Sequence, residues 1–87
     1  SDMKLPNVYI GLEKTTTLNL PSYFEGAESG YTCSVADGNV ASATISGTTL
    51  TVKGLAVGST TLTVSVGGKQ QTVTITVRKN ANNNGWM

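Results

Sequence analysis

Leu55-Ala-Val-Gly-Ser-Thr-Thr-Leu-Thr-Val-Ser-Val-Gly-Gly-Lys-Gln-Gln-Thr-Val-Thr-Ile-Thr-Val77 contains two runs of strict alternation. Leu62, Val64 and Val66 take every second place in the first, with Thr61, Thr63 and Ser65 between them. Val73, Ile75 and Val77 do the same in the second, against Thr72, Thr74 and Thr76. A period of two sends one set to each face of a strand. Gly67-Gly68 between the runs supplies a tight hairpin turn. The stretch predicts an antiparallel hairpin with one apolar face and one hydroxyl face. Such a face needs a second sheet to cover it.

Working outward, Gly54 to Gly58 reads as a corner, with Leu55 and Val57 tucked beneath it. Gly58 is expected in a backbone conformation costly to other residues. Leu50–Val52, Val40–Ile45 and Tyr31–Val35 read as short strands. Ser46-Gly47 and Asp37-Gly38-Asn39 turn the chain between them. Ser22–Gly30 is the longest irregular connection and holds Tyr23 and Phe24 side by side. Lys14–Leu20 is a further strand, ended by Pro21. Lys4–Ile10 is a first strand placed at an edge or kinked by Pro6, because proline donates no ladder hydrogen bond. Gly11 marks a bulge or a switch between sheets. Seven short strands at this spacing, punctuated by glycine turns, are the pattern of an all-β antiparallel sandwich with Greek-key connections. The expected core is Val8, Ile10, Leu18, Leu20, Cys33, Val35, Ile45, Leu50, Val52, Leu62, Val64, Val66, Val73, Ile75 and Val77. The expected domain is 4–79, with Ser1-Asp2-Met3 read as a cloning remnant and 80–87 as a polar linker or tail that includes Trp86.

The 87 residues leave room for one domain. Net charge is +1 and the Lys and Arg residues are scattered, so a nucleic-acid surface is not expected. The apolar runs are too short to span a bilayer as helices. There is one cysteine, Cys33, so no intrachain disulfide can form.

The absence of histidine removes His-based triads and His metal sites. Cys33 lies on an alternating strand and reads as a small buried hydrophobe rather than a nucleophile. Glu25 and Glu28 sit in an irregular connection, without the rigid cleft that paired acid–base carboxylates need. Asp37 and Asn39 could give only one turn's worth of calcium ligands and read as turn residues. No enzyme, cofactor or metal is expected. Tyr23 and Phe24 have two readings. They are a surface pair that contacts a glycan or protein partner, or one of them plugs an end of the sandwich.

Tyr31–Ala41, the Ser46-Gly47 turn, Leu50-Thr51-Val52 and the corner from Gly54 through Gly58 into Val64 resemble the bacterial Ig-like domains of group 2. The resemblance spans about Val8–Val77. Cys33 departs from it, standing where those domains usually carry Trp. The resemblance implies a monomeric, non-catalytic module of a cell-surface or secreted protein. That module would be a spacer or adhesion domain beside neighbouring domains, and its partner a host or bacterial surface protein or glycan. The alternative is an accessory carbohydrate-binding module of a glycan-degrading enzyme, with Tyr23 and Phe24 as its platform.

Overall fold

A computed structural model describes residues 3–79 and 85–86. The central hairpin pairs β6 (Gly58–Val66) with β7 (Lys69–Arg78), in register from Gly58↔Val77 to Val66↔Lys69. Thr60, Leu62 and Val64 of β6 are buried with Val73, Ile75 and Val77 of β7. The opposite face carries the hydroxyls, which meet across the strands at Thr63–Thr72 (3.0 Å) and Ser59–Thr76 (3.5 Å).

This hairpin is the middle of a five-stranded sheet. Its order is β3-β6-β7-β1-β8, with β1 at Val8–Gly11, β3 at Thr32–Val35 and β8 at Gly85–Trp86. A three-stranded sheet covers its apolar face, in the order β2-β5-β4. Its strands are β2 (Thr15–Asn19), β4 (Ala41–Ser46) and β5 (Thr49–Gly54). The all-β sandwich that the alternation predicts is therefore the architecture. In β5 the alternation reappears as buried Leu50, Val52 and Gly54 between half-buried Thr49, Thr51 and Lys53. The chain changes sheets just after Gly11, where Leu12 N–H donates to Arg78 O at 2.8 Å and Glu13 N–H to Gly54 O at 2.9 Å.

Two features add to the antiparallel, seven-strand expectation. β1 runs parallel to β7, from Val8↔Ile75 to Gly11↔Arg78. An eighth strand also forms, because Gly85–Trp86, placed in a polar tail by the sequence, pair antiparallel with Tyr9 and Val8. Ser1, Asp2, residues 80–84 and Met87 lie outside the described residues, and so does most of the expected tail.

Ten of the fifteen expected core residues are buried. Leu18, Cys33, Val35, Ile45 and Val66 are only partly buried, against the cluster. They sit on β2, β3 and β4, the outer strands of the two sheets, or at the hairpin tip, where the opposing sheet covers them on one side only. Leu5, Phe24, Tyr31 and Ala41 complete the core instead. Leu55 is half-buried, while Val57 stands 53% exposed.

The corner into β6 is built from backbone. Leu55 and Ala56 N–H both donate to Val40 O, at 2.8 and 3.1 Å. Gly58 follows at φ +152, where an added Cβ would lie 3.6 Å from Val40 Cγ2. The space is adequate, so the cost of substitution comes from the backbone angle. Gly58→Val should destabilise by about 1–3 kcal/mol, as a β-branched residue held at positive φ does. Chemical denaturation checks this, and an unchanged midpoint would contradict it.

Candidate functional site

The loop that holds Tyr23 and Phe24 is tightly organised. Pro21–Tyr23 forms one 3-10 turn, with proline at its start where no N–H is needed. Gly26 N–H then donates to Pro21 O at 2.8 Å and Ala27 N–H to Phe24 O at 3.2 Å. This coil requires positive φ at Glu25 (53°) and Gly26 (75°). It turns Phe24 inward. The ring is 2% exposed and meets Tyr31 edge-on, centroids 5.7 Å apart at 73°. The Tyr31 hydroxyl donates to Ala27 O at 2.7 Å, which satisfies the one polar atom of a buried ring.

Phe24 is thus the plug of this end of the sandwich and offers no contact surface, which corrects its expected place in a ligand-binding pair. Tyr23 is half-buried against the core and keeps part of its ring at the surface. The two rings do not form a platform.

Two polar side chains fasten the loop. Glu25 accepts a hydrogen bond from Lys69 Nζ at 2.7 Å, and this contact holds its carboxyl below the usual carboxylate range. Gln71 is the second. Its Oε1 accepts from Leu5 N–H at 2.6 Å, while its Nε2 donates to Tyr23 O at 2.9 Å and to Met3 O at 3.1 Å. One amide therefore ties the N-terminal segment and the aromatic loop to β7. The sequence carries a signal for this. Gln71 stands in the inward phase that Val73, Ile75 and Val77 continue, and a polar residue in an apolar phase must find partners there.

The other candidates sit apart from this loop. Cys33 is partly buried on β3, and burial pushes its thiol pKa up. Asp37 closes a turn. Its Oδ1 accepts from Asn39 N–H at 2.9 Å, and its own N–H donates to Thr60 Oγ1 at 2.9 Å. Among the described residues no three metal-ligating side chains cluster, and no helix is long and apolar enough to cross a membrane.

Residues 13–78 match the family model described as the pilus formation protein N-terminal region. The chain belongs to that family. The match runs from the turn before β2 to the end of β7, most of the sandwich. It replaces the group 2 bacterial Ig-like resemblance. The residues behind that resemblance, alternating Thr and Val and a glycine corner, suit two-layer β-sandwiches in general and do not by themselves separate one family from another. No curated protein shows significant similarity to the chain. Among solved structures, S-layer protein SbsC domains 5–6 superpose with a TM-score of 0.69 at 23% identity, over 87% of this chain and 41% of that one. SbsC domains 4 and 5 give 0.64 at 24%, over 83% and 41%. SbsC domains 4–9 give 0.68 at 22%, over 88% and 13%. At this identity the likeness is one of fold. The chain spans less than half the length of each of these structures.

Proposed function

We propose that this chain is a non-catalytic structural module of a secreted or cell-surface assembly, serving as a spacer or assembly domain among neighbouring modules. The observation that carries the proposal is the pilus-formation family match, which covers β2 to β7. Two further features support it. The S-layer protein structures it resembles in fold each span more than one numbered domain, 5–6 in one and 4–9 in another. Both outer sheet faces carry mostly Thr and Ser, which favour solvation over recognition.

At the end of the sandwich formed by the Pro21–Ala27 loop, an adhesive or glycan-binding role would rest on Tyr23. Of the three rings at that end, Phe24 and Tyr31 are buried. We therefore assign any partner contact there to Tyr23, with a neighbouring domain as the expected partner.

The test uses the intact protein in the organism that encodes it. An antibody raised against this domain should label unpermeabilised cells or the secreted fraction, and brief external proteolysis should remove the signal. Labelling confined to the cytoplasm would overturn the reading. For Tyr23, the Tyr23→Ala protein should keep its melting temperature and lose any glycan or protein binding found by array or pull-down. Binding that survives the substitution would remove Tyr23 from the proposal.

A further inference from the structure

The first strand and the last long one lie side by side and parallel, Val8 against Ile75 through to Gly11 against Arg78. The chain enters this pair at Val8 and leaves it at Arg78, at opposite ends. Tension applied through the two ends of the domain therefore draws β1 one way along its axis and β7 the other. The hydrogen bonds between them lie across that pull. They are loaded together, in shear. The antiparallel β6–β7 hairpin shows the contrast. Gly58 stands opposite Val77, so a pull that separates the two strands at that end opens the pairs one at a time.

Side chains carry the β1–β7 contact past Pro6, which has no N–H to give. Thr74 N–H donates to Asn7 Oδ1 at 3.0 Å. Leu5 N–H donates to Gln71 Oε1 at 2.6 Å, and Gln71 Nε2 to Met3 O at 3.1 Å. At the other end Leu12 N–H donates to Arg78 O at 2.8 Å. The segment from Met3 to Leu12 is thus fastened at intervals along Gln71–Arg78. Packing also opposes sliding. Leu5, Val8, Ile10, Ile75 and Val77 are all buried, so any shift drags them through a close-packed core. A slip of one residue would turn Val8 and Ile10 outward.

Force from the C-terminal side meets β8 first. Trp86 stands opposite Val8 in an antiparallel pairing, so the same pull opens β8 from its end. The load then passes to Arg78.

We propose that the domain is a load-bearing module, in which β1 and β7 form a mechanical clamp against tension passed along the chain between neighbouring domains. The load-bearing role rests on the reading of the chain as a spacer. The clamp is a property of the chain alone and is measured without its neighbours, so a cytoplasmic location would remove the load without touching the clamp.

The test stretches single molecules of the whole chain, held between two handle proteins joined at its termini. One rupture at high force is expected, preceded by a small lengthening as β8 releases. A second pulling direction uses Val57→Cys in a Cys33→Ser background, with one handle on that exposed position and the other at the C-terminus. This pull parts β6 from β7 at Gly58↔Val77. The end-to-end rupture force should be at least about twice as large, because shear loads the paired bonds together and unzipping loads them singly. Asn7→Ala combined with Gln71→Ala shortens the clamp and should lower the end-to-end force. Ile45→Ala is placed on β4, which packs beside β3 at the side of the sandwich away from β1. It should lower the melting temperature and leave that force unchanged, since forced unfolding follows the unfolding barrier rather than overall stability. If the double variant fails to fold, the two pulling directions still decide the matter. Equal forces in both directions, an unchanged force in the double variant, or an equal fall in force in Ile45→Ala would each overturn the proposal.

Discussion

Gly54→Ala is expected to destabilise the domain by about 3 kcal/mol or more, the upper range for forcing atoms into a packed interior. A Cβ on Gly54 would lie 2.8 Å from Gly11 O and 2.9 Å from Val77 Cγ1. The first neighbour is backbone and cannot rotate away. Gly54 ends β5 of the smaller sheet, while Gly11 and Val77 belong to the larger one. Relief would therefore require the two sheets to part at this point. Gly54 also donates to Lys14 O and accepts from Glu13 N–H, so the local shift would strain both bonds. In a domain of this size each kcal/mol lowers the melting temperature by about 4–8 °C. A Gly54→Ala protein that melts with the parent would show that the sheets are not in contact there.

Phe24→Ala should cost about 3–5 kcal/mol, the range for truncating a buried aromatic. The ring fills the end of the core between Tyr31 and the 3-10 turn, so its removal leaves a cavity and takes away the edge-on contact with Tyr31. Tyr23→Ala, one residue away, should cost far less, because that side chain is only half-buried. Phe24→Leu should recover much of the loss. Calorimetry on the three variants separates the plug from the surface ring. Equal melting of Phe24→Ala and Tyr23→Ala would contradict the inward assignment of Phe24.

The hairpin that decides the fold was legible because Thr61–Val66 of β6 and Thr72–Val77 of β7 obey one period. Burial on one face and hydroxyls on the other can be read from such a run without knowledge of the rest. Leu5 and Phe24 were not legible in this way. Both lie in irregular segments, next to Pro6 and Pro21, where no period tells which side faces the core. Their burial is set by partners that no local period reveals, distant Gln71 for Leu5 and Tyr31 across the loop for Phe24. The parallel pairing of β1 with β7 is equally invisible to local pattern, since alternation is the same for either direction. The contact surface expected at Tyr23 and Phe24 rested on their adjacency. On a coiled loop, adjacent side chains point different ways, and only one of them reached the surface.

The pairing of β1 with β7 has a consequence for biosynthesis. The first strand of the sandwich is held by the last long one, Val8 beside Ile75 and Ile10 beside Val77. A nascent chain leaving a ribosome or a translocation channel carries Val8 and Ile10 with no neighbour for their main-chain groups until the seventies have emerged. The larger sheet can therefore complete itself only near the end of the domain's synthesis. A closing contact between residues so distant in sequence is slow to find. For a chain that must pass through a membrane pore unfolded, that delay is useful: the segment stays threadable until nearly all of it has crossed.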